Sequence, residues 1–202
     1  PKNQNNSYRG LTTIKYAVQA SLNTVAVKVV NDITPEVSYE YATEKFGLTT
    51  LVESRQTESG FTFSDIGLSS MALGGLTDGV RVTELSAAYA TFANDGYYNA
   101  PRTYTHVVNA KGEIVLDNSR AAVEALSQET TFYMNQLLVN VVQNGTGTKA
   151  RLNNMTVAGK TGTTSDDHDR WFVGYTPYYS AAVWVGFDTP EEVNVNSSTN
   201  PA

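Results

Sequence analysis

A glycine-rich stretch over residues 155–165 (MTVAGKTGTTS) contains side chains and backbone that could bind an anion. Gly159-Lys160-Thr161 matches the last three positions of a nucleotide-binding P-loop, G-x-x-x-x-G-K-[ST]. The first glycine of that motif is missing, because position 154 is Asn154. Residues 162–169 contain three aspartates, which would repel a triphosphate, and they do not form the helical pattern that a P-loop needs. The sequence therefore argues against nucleotide binding.

The same residues fit a second kind of site, a strand edge that binds an extended peptide. A peptide can add itself to the edge of a sheet through main-chain hydrogen bonds. Gly162 would leave room for the approaching backbone. Lys160 would attract a C-terminal carboxylate, and the hydroxyls of Thr161 and Thr163 would donate to it. On its own a Lys-Thr-Gly tripeptide is more typical of an exposed strand end with a solvated lysine, because short motifs recur by chance.

Ser21-Leu22-Asn23 is the second candidate, and it lies where two predicted helices meet. Serine and asparagine compete with helical backbone hydrogen bonds, so both are poor choices inside a continuous helix. A helix cap would explain one of these polar residues and leave the other without a role. One group of serine enzymes combines Ser-x-x-Lys, Ser-x-Asn and Lys-Thr-Gly. The chain contains candidates for the last two.

Hydrophobic periodicity predicts helices first and strands last. Helical spacing extends over residues 11–30 with a break near Ser21, and Thr34-Pro35-Glu36 is a typical helix start for a helix that ends at Gly47. The other predicted elements are helices over 83–94 and 127–142, a hairpin over 104–116, and strands over 155–163, 171–175 and 179–187. This order predicts an α/β or α+β fold with a largely antiparallel sheet at its C-terminal end.

Composition excludes several classes of function. The 202 residues suffice for one domain, and a net charge of −6 argues against nucleic acid or an anionic membrane as the main partner. The absence of cysteine excludes disulfides and cysteine-ligated metals and is compatible with an exported bacterial protein. His168 stands among Asp166, Asp167 and Asp169, but their spacing matches no metal-ligand pattern. We therefore predict neither a metal nor another cofactor.

Beyond these motifs, short segments along nearly the whole chain resemble the transpeptidase domain of class A penicillin-binding proteins. Those are bifunctional enzymes that polymerise and cross-link peptidoglycan. The similar segments are residues 8–10 (YRG), 17–26 (AVQASLNTVA), 71–80 (MALGGLTDGV), 84–94 (ELSAAYATFAN), 144–148 (NGTGT), 157–164 (VAGKTGTT), 171–177 (WFVGYTP) and 183–186 (VWVG). The resemblance implies the fold of penicillin-binding proteins and serine β-lactamases, an antiparallel sheet flanked by a helical subdomain.

The resemblance also implies a reaction and a set of roles. A serine would form an acyl-enzyme with a peptidoglycan stem peptide ending in D-Ala-D-Ala, and β-lactams such as penicillin would acylate the same serine. Ser21 would relay a proton to the leaving nitrogen, Asn23 would hydrogen-bond the substrate amide, and Lys160 would hold Ser21 and make the site electropositive. Thr161 and Thr163 would bind the substrate carboxylate, with the Thr163 backbone N–H in the oxyanion hole.

One element of the family pattern is missing, because no Ser-x-x-Lys occurs in the 202 residues. In the family this motif provides the nucleophile and precedes the Ser-x-Asn. We therefore expect residues 1–202 to be the C-terminal part of one transpeptidase domain, completed by an upstream segment of the same protein. That segment would carry Ser-x-x-Lys and strands of the sheet, and would lead to a glycosyltransferase domain and a membrane anchor. The expected location of the catalytic domain is outside the bacterial cell membrane, at the cell surface or in the periplasm.

Two other functions stay open at this point. In a D,D-carboxypeptidase or β-lactamase of the same fold, water rather than an amine would resolve the ester. A non-catalytic penicillin-sensing or interaction domain would fit if the full-length gene also lacks Ser-x-x-Lys. For the enzyme, we predict that Ser21, Asn23 and Lys160 line one groove, with Ser21 Oγ roughly 3 Å from Lys160 Nζ.

Overall fold

A computed structural model describes residues 1–4, 6–164 and 166–193. The helices are α1 (Ile14–Gln19), α2 (Asn23–Ile33), α3 (Pro35–Glu40), α4 (Leu68–Leu73), α5 (Val82–Ala93) and α6 (Gln128–Asn144), with a π-helical turn at Tyr41–Lys45 and a 3-10 turn at Thr148–Ala150. The strands are β1 (Arg55–Gln56), β2 (Thr62–Phe63), β3 (Tyr97–Tyr98), β4 (His106–Val108), β5 (Ile114–Asp117), β6 (Val123–Glu124), β7 (Ala158–Thr163), β8 (Arg170–Tyr175) and β9 (Ser180–Val185). No helix of these described residues is both long and apolar enough to cross a bilayer.

The main sheet is antiparallel and has the order β7-β8-β9, so the predicted C-terminal sheet is confirmed. Gly159 of β7 lies opposite Gly174 of β8. The ring of Phe172 lies over this glycine pair. A Cβ built at Gly159 would come 2.7 Å from Phe172 Cζ, and one built at Gly174 would come 2.7 Å from Phe172 Cε1. The ring therefore occupies the space that two side chains would need. The predicted hairpin is also present as β4 and β5.

The core lies between this sheet and helices α5 and α6. Leu138 of α6, Ala158 of β7 and Tyr175 of β8 form its buried centre, and Phe92 of α5 stacks on Tyr175 with ring centroids 6.3 Å apart. Helix α6 begins where Ser127 accepts a hydrogen bond from the backbone N–H of Thr130, which satisfies one of the free donors of the first turn. The core thus fixes α6 against β7, the strand that contains Lys-Thr-Gly.

The break between α1 and α2 falls where the sequence predicts it. Ser21 has a φ of 53°, a left-handed conformation that is uncommon outside glycine and that no helix can continue through. Leu22 cannot cap α2, and Asn3 does so from the N-terminal segment: its Oδ1 accepts from the backbone N and from Oγ1 of Thr24, each at 3.2 Å. At the end of α1 the backbone N–H groups of Ala20 and Leu22 donate to the Tyr16 and Ala17 oxygens, both at 2.9 Å, so hydrogen bonds hold both helix ends beside Ser21.

Helix α4 and the short strands β1, β2, β3 and β6 are elements that periodicity does not predict. Asp65 is almost fully buried in the loop before α4. Its carboxylate accepts from the backbone N–H groups of Val52 and Thr77, both at 2.8 Å, and from the Thr77 hydroxyl at 2.7 Å. These bonds close the loop around α4, which packs against α2. Tertiary hydrogen bonds, rather than a local pattern, fix this region.

The chain exposes more surface than a compact monomer of its size. Its accessible surface is 12846 Å², against the roughly 9,300 Å² typical of a compact monomer of this mass. Large apolar side chains of α1 and α2 and of the segment before them face solvent, among them Leu11, Ile14, Val29 and Ile33. The expectation that the helices of residues 11–30 expose apolar side chains is confirmed.

Candidate active site

The predicted site residues lie around one cavity of about 510 Å³, built by α1, α2, α4, α6 and β7. Its polar lining includes all six of them: Ser21, Asn23, Lys160, Thr161, Gly162 and Thr163. The rest of the lining is mostly apolar and comes from the helices. The predicted grouping of Ser21, Asn23 and Lys160 around one groove is therefore confirmed, whereas the catalytic and binding roles of all six residues stay predictions.

Ser21 and Lys160 are in direct contact across the cavity. Lys160 Nζ donates to Ser21 Oγ at 2.8 Å and to the backbone oxygen of Thr161 at 2.9 Å, so the predicted distance is confirmed. The left-handed backbone at Ser21 turns its side chain out of the helical path. Burial lowers the pKa of the Lys160 ammonium to about 8, because a charged group is less well solvated there. A lysine with this pKa can hold or give up a proton near neutral pH, as a proton relay requires.

Asn23 is the first residue of α2 and lines the same cavity. Its side-chain Nδ2 donates to the backbone oxygen of Lys2 at 2.8 Å. An asparagine amide has a second N–H and an acceptor oxygen, so this bond fixes the orientation of the side chain and leaves capacity for a ligand. The N-terminal segment thus supports Asn23 directly, and it supports α2 through Asn3.

The Lys-Thr-Gly strand lies at a sheet edge, as predicted. In the described part of the chain β7 pairs with β8 on one side, and its other edge borders the cavity. Side chains alternate along a strand, so Thr161 and Thr163 share one face and Lys160 points to the other. Gly162 has a second reason to be glycine: a Cβ there would approach Trp171 Cβ to 3.2 Å. The glycine therefore relieves crowding with the paired strand as well as at the open edge.

Comparison with known proteins identifies the family. The family model described as the penicillin-binding protein transpeptidase domain matches residues 1–201. The chain belongs to this family. The predicted class of fold is confirmed with it, since solved transpeptidase domains share the architecture of helices around an antiparallel sheet.

Its curated relatives in the penicillin-binding family are longer proteins. The chain is 37% identical to penicillin-binding protein 1A of Clostridium acetobutylicum over 199 aligned residues. The aligned part is 98% of this chain and 23% of the relative. It is 35% identical to penicillin-binding protein 4 of Bacillus subtilis, covering 100% of this chain and 30% of the relative. The chain therefore spans about a quarter of the length of such relatives.

Solved penicillin-binding structures agree with the fold and with this partial coverage. PonA1 of Mycobacterium tuberculosis in complex with penicillin V superposes with a TM-score of 0.74 at 25% identity, covering 98% of this chain and 53% of that one. The D,D-transpeptidase domain of a peptidoglycan glycosyltransferase from Eggerthella lenta gives a TM-score of 0.66 at 26% identity, covering 90% and 49%. The chain matches about half of each solved chain.

A polar network next to the site is absent from the predictions made from the sequence. Gln19 Nε2 donates to the backbone oxygen of Asn144 at 2.8 Å, and Gln19 Oε1 accepts from Asn140 Nδ2 at 2.9 Å. The backbone N–H of Thr146 donates to the backbone oxygen of Gln19 at 3.3 Å, and the Thr146 and Thr161 hydroxyls lie 2.7 Å apart. The network joins the end of α1, two residues before Ser21, to the turn after α6. Gln19 lies in the family-like segment 17–26 and Asn144 and Thr146 lie in 144–148, but the resemblance does not show that these two segments are in contact.

Proposed function

We propose that residues 1–202 form the C-terminal part of a serine-type D,D-transpeptidase domain. This domain would cross-link peptidoglycan stem peptides ending in D-Ala-D-Ala through an acyl-enzyme and would be acylated by β-lactams. The observation that carries the proposal is the 2.8 Å contact between Ser21 Oγ and Lys160 Nζ beside the edge of β7 that no described strand pairs with. The penicillin V complex of the similar PonA1 supports a β-lactam as one ligand of the site.

The proposal requires a nucleophile from outside these residues, because no Ser-x-x-Lys occurs within them. We assign it to an upstream segment of the same protein that packs against the cavity. The mostly apolar cavity lining and the exposed apolar side chains of α1 and α2 support this occupant. Burying one such side chain contributes ~1.5–3 kcal/mol, and a whole domain is stable by only ~5–15 kcal/mol, so this contact would decide whether the chain folds.

The hydrogen bonds of the site fit the two steps of the proposed reaction. The upstream serine attacks the carbonyl carbon of the penultimate D-Ala. As this C–O bond forms, the serine proton passes to the lysine of the upstream Ser-x-x-Lys, and a tetrahedral intermediate results. When the intermediate collapses, the C–N bond to the terminal D-Ala breaks and the leaving nitrogen takes a proton. Ser21 is suited to deliver that proton, since its Oγ accepts from Lys160 and its own O–H can donate to the leaving nitrogen. An amine of a second stem then attacks the ester, and the serine regains its proton.

The same edge of β7 is suited to bind the substrate backbone in this reaction. Thr161 and Thr163 share one face and would donate to the terminal carboxylate, and the Thr163 N–H would stabilise the oxyanion. Losing one oxyanion donor typically costs ~3 kcal/mol of transition-state stabilisation. Because the substrate is peptidoglycan, the proposal places this domain outside the cell membrane.

The test uses the full-length protein that contains residues 1–202. Wild type, Ser21→Ala and Ser119→Ala are incubated with a fluorescent penicillin and, separately, with a stem pentapeptide and an acceptor amine. Ser119 is an exposed serine outside the residues that line the cavity, so it provides the matched control. We expect wild type and Ser119→Ala to be labelled and to form the cross-linked product, with Ser21→Ala slower by at least ~100-fold.

Other outcomes point to the alternative functions. Labelling and D-Ala release without cross-linked product would indicate a carboxypeptidase or β-lactamase. A full-length wild type that is not labelled at all would contradict the enzyme and favour a non-catalytic interaction domain.

A further inference from the structure

Thr146 lies in the turn after α6, and its hydroxyl is 2.7 Å from the hydroxyl of Thr161. The turn is held from two directions. The backbone N–H groups of Gly145 and Gly147 donate to the Val141 oxygen at 2.9 Å and 3.2 Å, and these bonds end α6. From the other side, the Thr146 N–H donates to the backbone oxygen of Gln19. A fixed backbone therefore holds Thr146 against β7, although Thr146 is exposed to solvent.

The number of hydroxyl hydrogens decides which of Thr146 and Thr161 donates to the other when a ligand is bound. A threonine hydroxyl has one hydrogen to donate and two lone pairs to accept with. Thr161 would use its only hydrogen to bind a substrate carboxylate. The hydrogen between the two hydroxyls must then come from Thr146, whose O–H donates to Thr161 Oγ1.

Two hydroxyls joined in this way bind an anion more strongly than a single hydroxyl does. A hydrogen bond to an ionised acceptor is stronger than one between neutral groups, and successive bonds polarise one another. A donated bond from Thr146 also removes the rotamers of Thr161 in which its O–H points away from the open edge of β7. The cost of orienting Thr161 is then met before the ligand arrives.

We propose that Thr146 is a positioning residue for the substrate carboxylate. Its hydroxyl donates to Thr161 and holds the Thr161 O–H toward the anion, which favours acyl donors that carry a free carboxylate next to the scissile amide. This inference rests on the proposed function, and it extends the site beyond the Lys-Thr-Gly strand to the turn after α6.

The test compares benzylpenicillin, which has a free carboxylate, with its methyl ester, in which a neutral ester replaces that carboxylate, on the full-length protein. The variants are Thr146→Val, which removes the hydroxyl at constant shape, Thr146→Ser, which keeps it, and Thr148→Val as a matched control. Thr148 lies two residues further on and outside the residues that line the cavity. The measurement is the second-order rate constant of acylation, followed by mass spectrometry.

We expect Thr146→Val to lower this rate constant for benzylpenicillin by about five- to tenfold, as for loss of one hydrogen bond. The rate constant for the methyl ester should change by less than about twofold, because a neutral ester does not need the oriented donor. Thr146→Ser and Thr148→Val should match wild type with both ligands.

If wild type is acylated, three results would overturn the inference. The first is an equal loss of the rate constant with both ligands in Thr146→Val, which would indicate a structural role. The others are no loss with either ligand, and a Thr146→Ser variant as slow as Thr146→Val. If wild type itself is not acylated by benzylpenicillin, the proposed function fails, and the role of Thr146 fails with it. The two failures are therefore distinguishable in one experiment.

Discussion

Gln19→Glu should destabilise the site in a manner that depends on pH. Gln19 joins α1 to the C-terminal end of α6, donating through Nε2 to the Asn144 oxygen at 2.8 Å and accepting through Oε1 from Asn140 at 2.9 Å. The substitution keeps the shape of the side chain and the bond from Asn140. It replaces the donor with a carboxylate oxygen that faces the carbonyl oxygen of Asn144.

The size of the effect follows from the two contacts. One lost hydrogen bond costs about 1 kcal/mol, and the new carboxylate is repelled by the facing carbonyl, so we expect ~1–2 kcal/mol of destabilisation at pH 7.5 for this solvent-exposed contact. The facing carbonyl favours the protonated form, which raises the pKa of the introduced carboxyl in the folded state above its ordinary ~4.3. A group whose pKa is raised on folding contributes stability below its unfolded pKa and loses it as the pH rises through the folded pKa. The defect should therefore shrink toward pH 5, where the protonated carboxyl again donates to the carbonyl.

The assay measures how much fluorescent penicillin the full-length protein binds after brief heating at pH 7.5 and at pH 5.0. Gln143→Glu is the matched control, since it makes the same change on an exposed residue of α6. At pH 7.5 Gln19→Glu should lose labelling at a temperature at least about 2 °C lower than wild type, and Gln143→Glu should follow wild type closely. An equal midpoint at pH 7.5, or a difference that is the same at both pH values, would refute the reasoning.

Three further predictions concern neighbouring features. Because burial lowers the pKa of Lys160 to about 8, the rate constant for acylation by penicillin should fall as the pH rises through that value, where the cation is lost, and a profile flat to pH 10 would contradict this. Gly159→Ala should destabilise the fold by about 1–3 kcal/mol, because the new Cβ would meet backbone atoms of the paired strand at 2.8 Å and 3.1 Å. Gly75→Ala is the control, since a Cβ there has open space, and equal heat resistance of the two variants would count against the packing argument. Asn3→Ala should remove the cap on Thr24 and lower stability by about 1 kcal/mol in the same heating assay, and an unchanged midpoint would show that the cap is dispensable.

Local chemistry made much of the fold predictable. Ser127 and Gly145 bound α6 as a capping serine and a terminating glycine do. Thr34 likewise accepts from the Val37 N–H at the start of α3, as Thr34-Pro35-Glu36 indicates. The break at Ser21 was predictable because serine and asparagine are poorly suited to the middle of a helix.

The remaining features depend on contacts between residues far apart in sequence. Nothing in the sequence near Asp65 or Gln19 indicates a partner, yet Gln19 and Asn144 are 125 residues apart. The carboxylate of Asp65 fixes a loop that has no periodic pattern. The grouping of Ser21 with Lys160 came from the family resemblance, and spacing alone could not have placed two side chains 139 residues apart in contact. Such contacts are decided by packing, which one sequence does not display.

The most direct test of the account is to locate the penicilloyl adduct by peptide mapping. Full-length protein and isolated residues 1–202 are each treated with penicillin, digested and analysed by tandem mass spectrometry. We predict one adduct on the full-length protein, at the serine of an upstream Ser-x-x-Lys, and none on the isolated chain. An adduct on Ser21 in either sample, or a full-length protein that carries none, would contradict the proposal that Ser21 and Lys160 serve a nucleophile supplied from outside these residues.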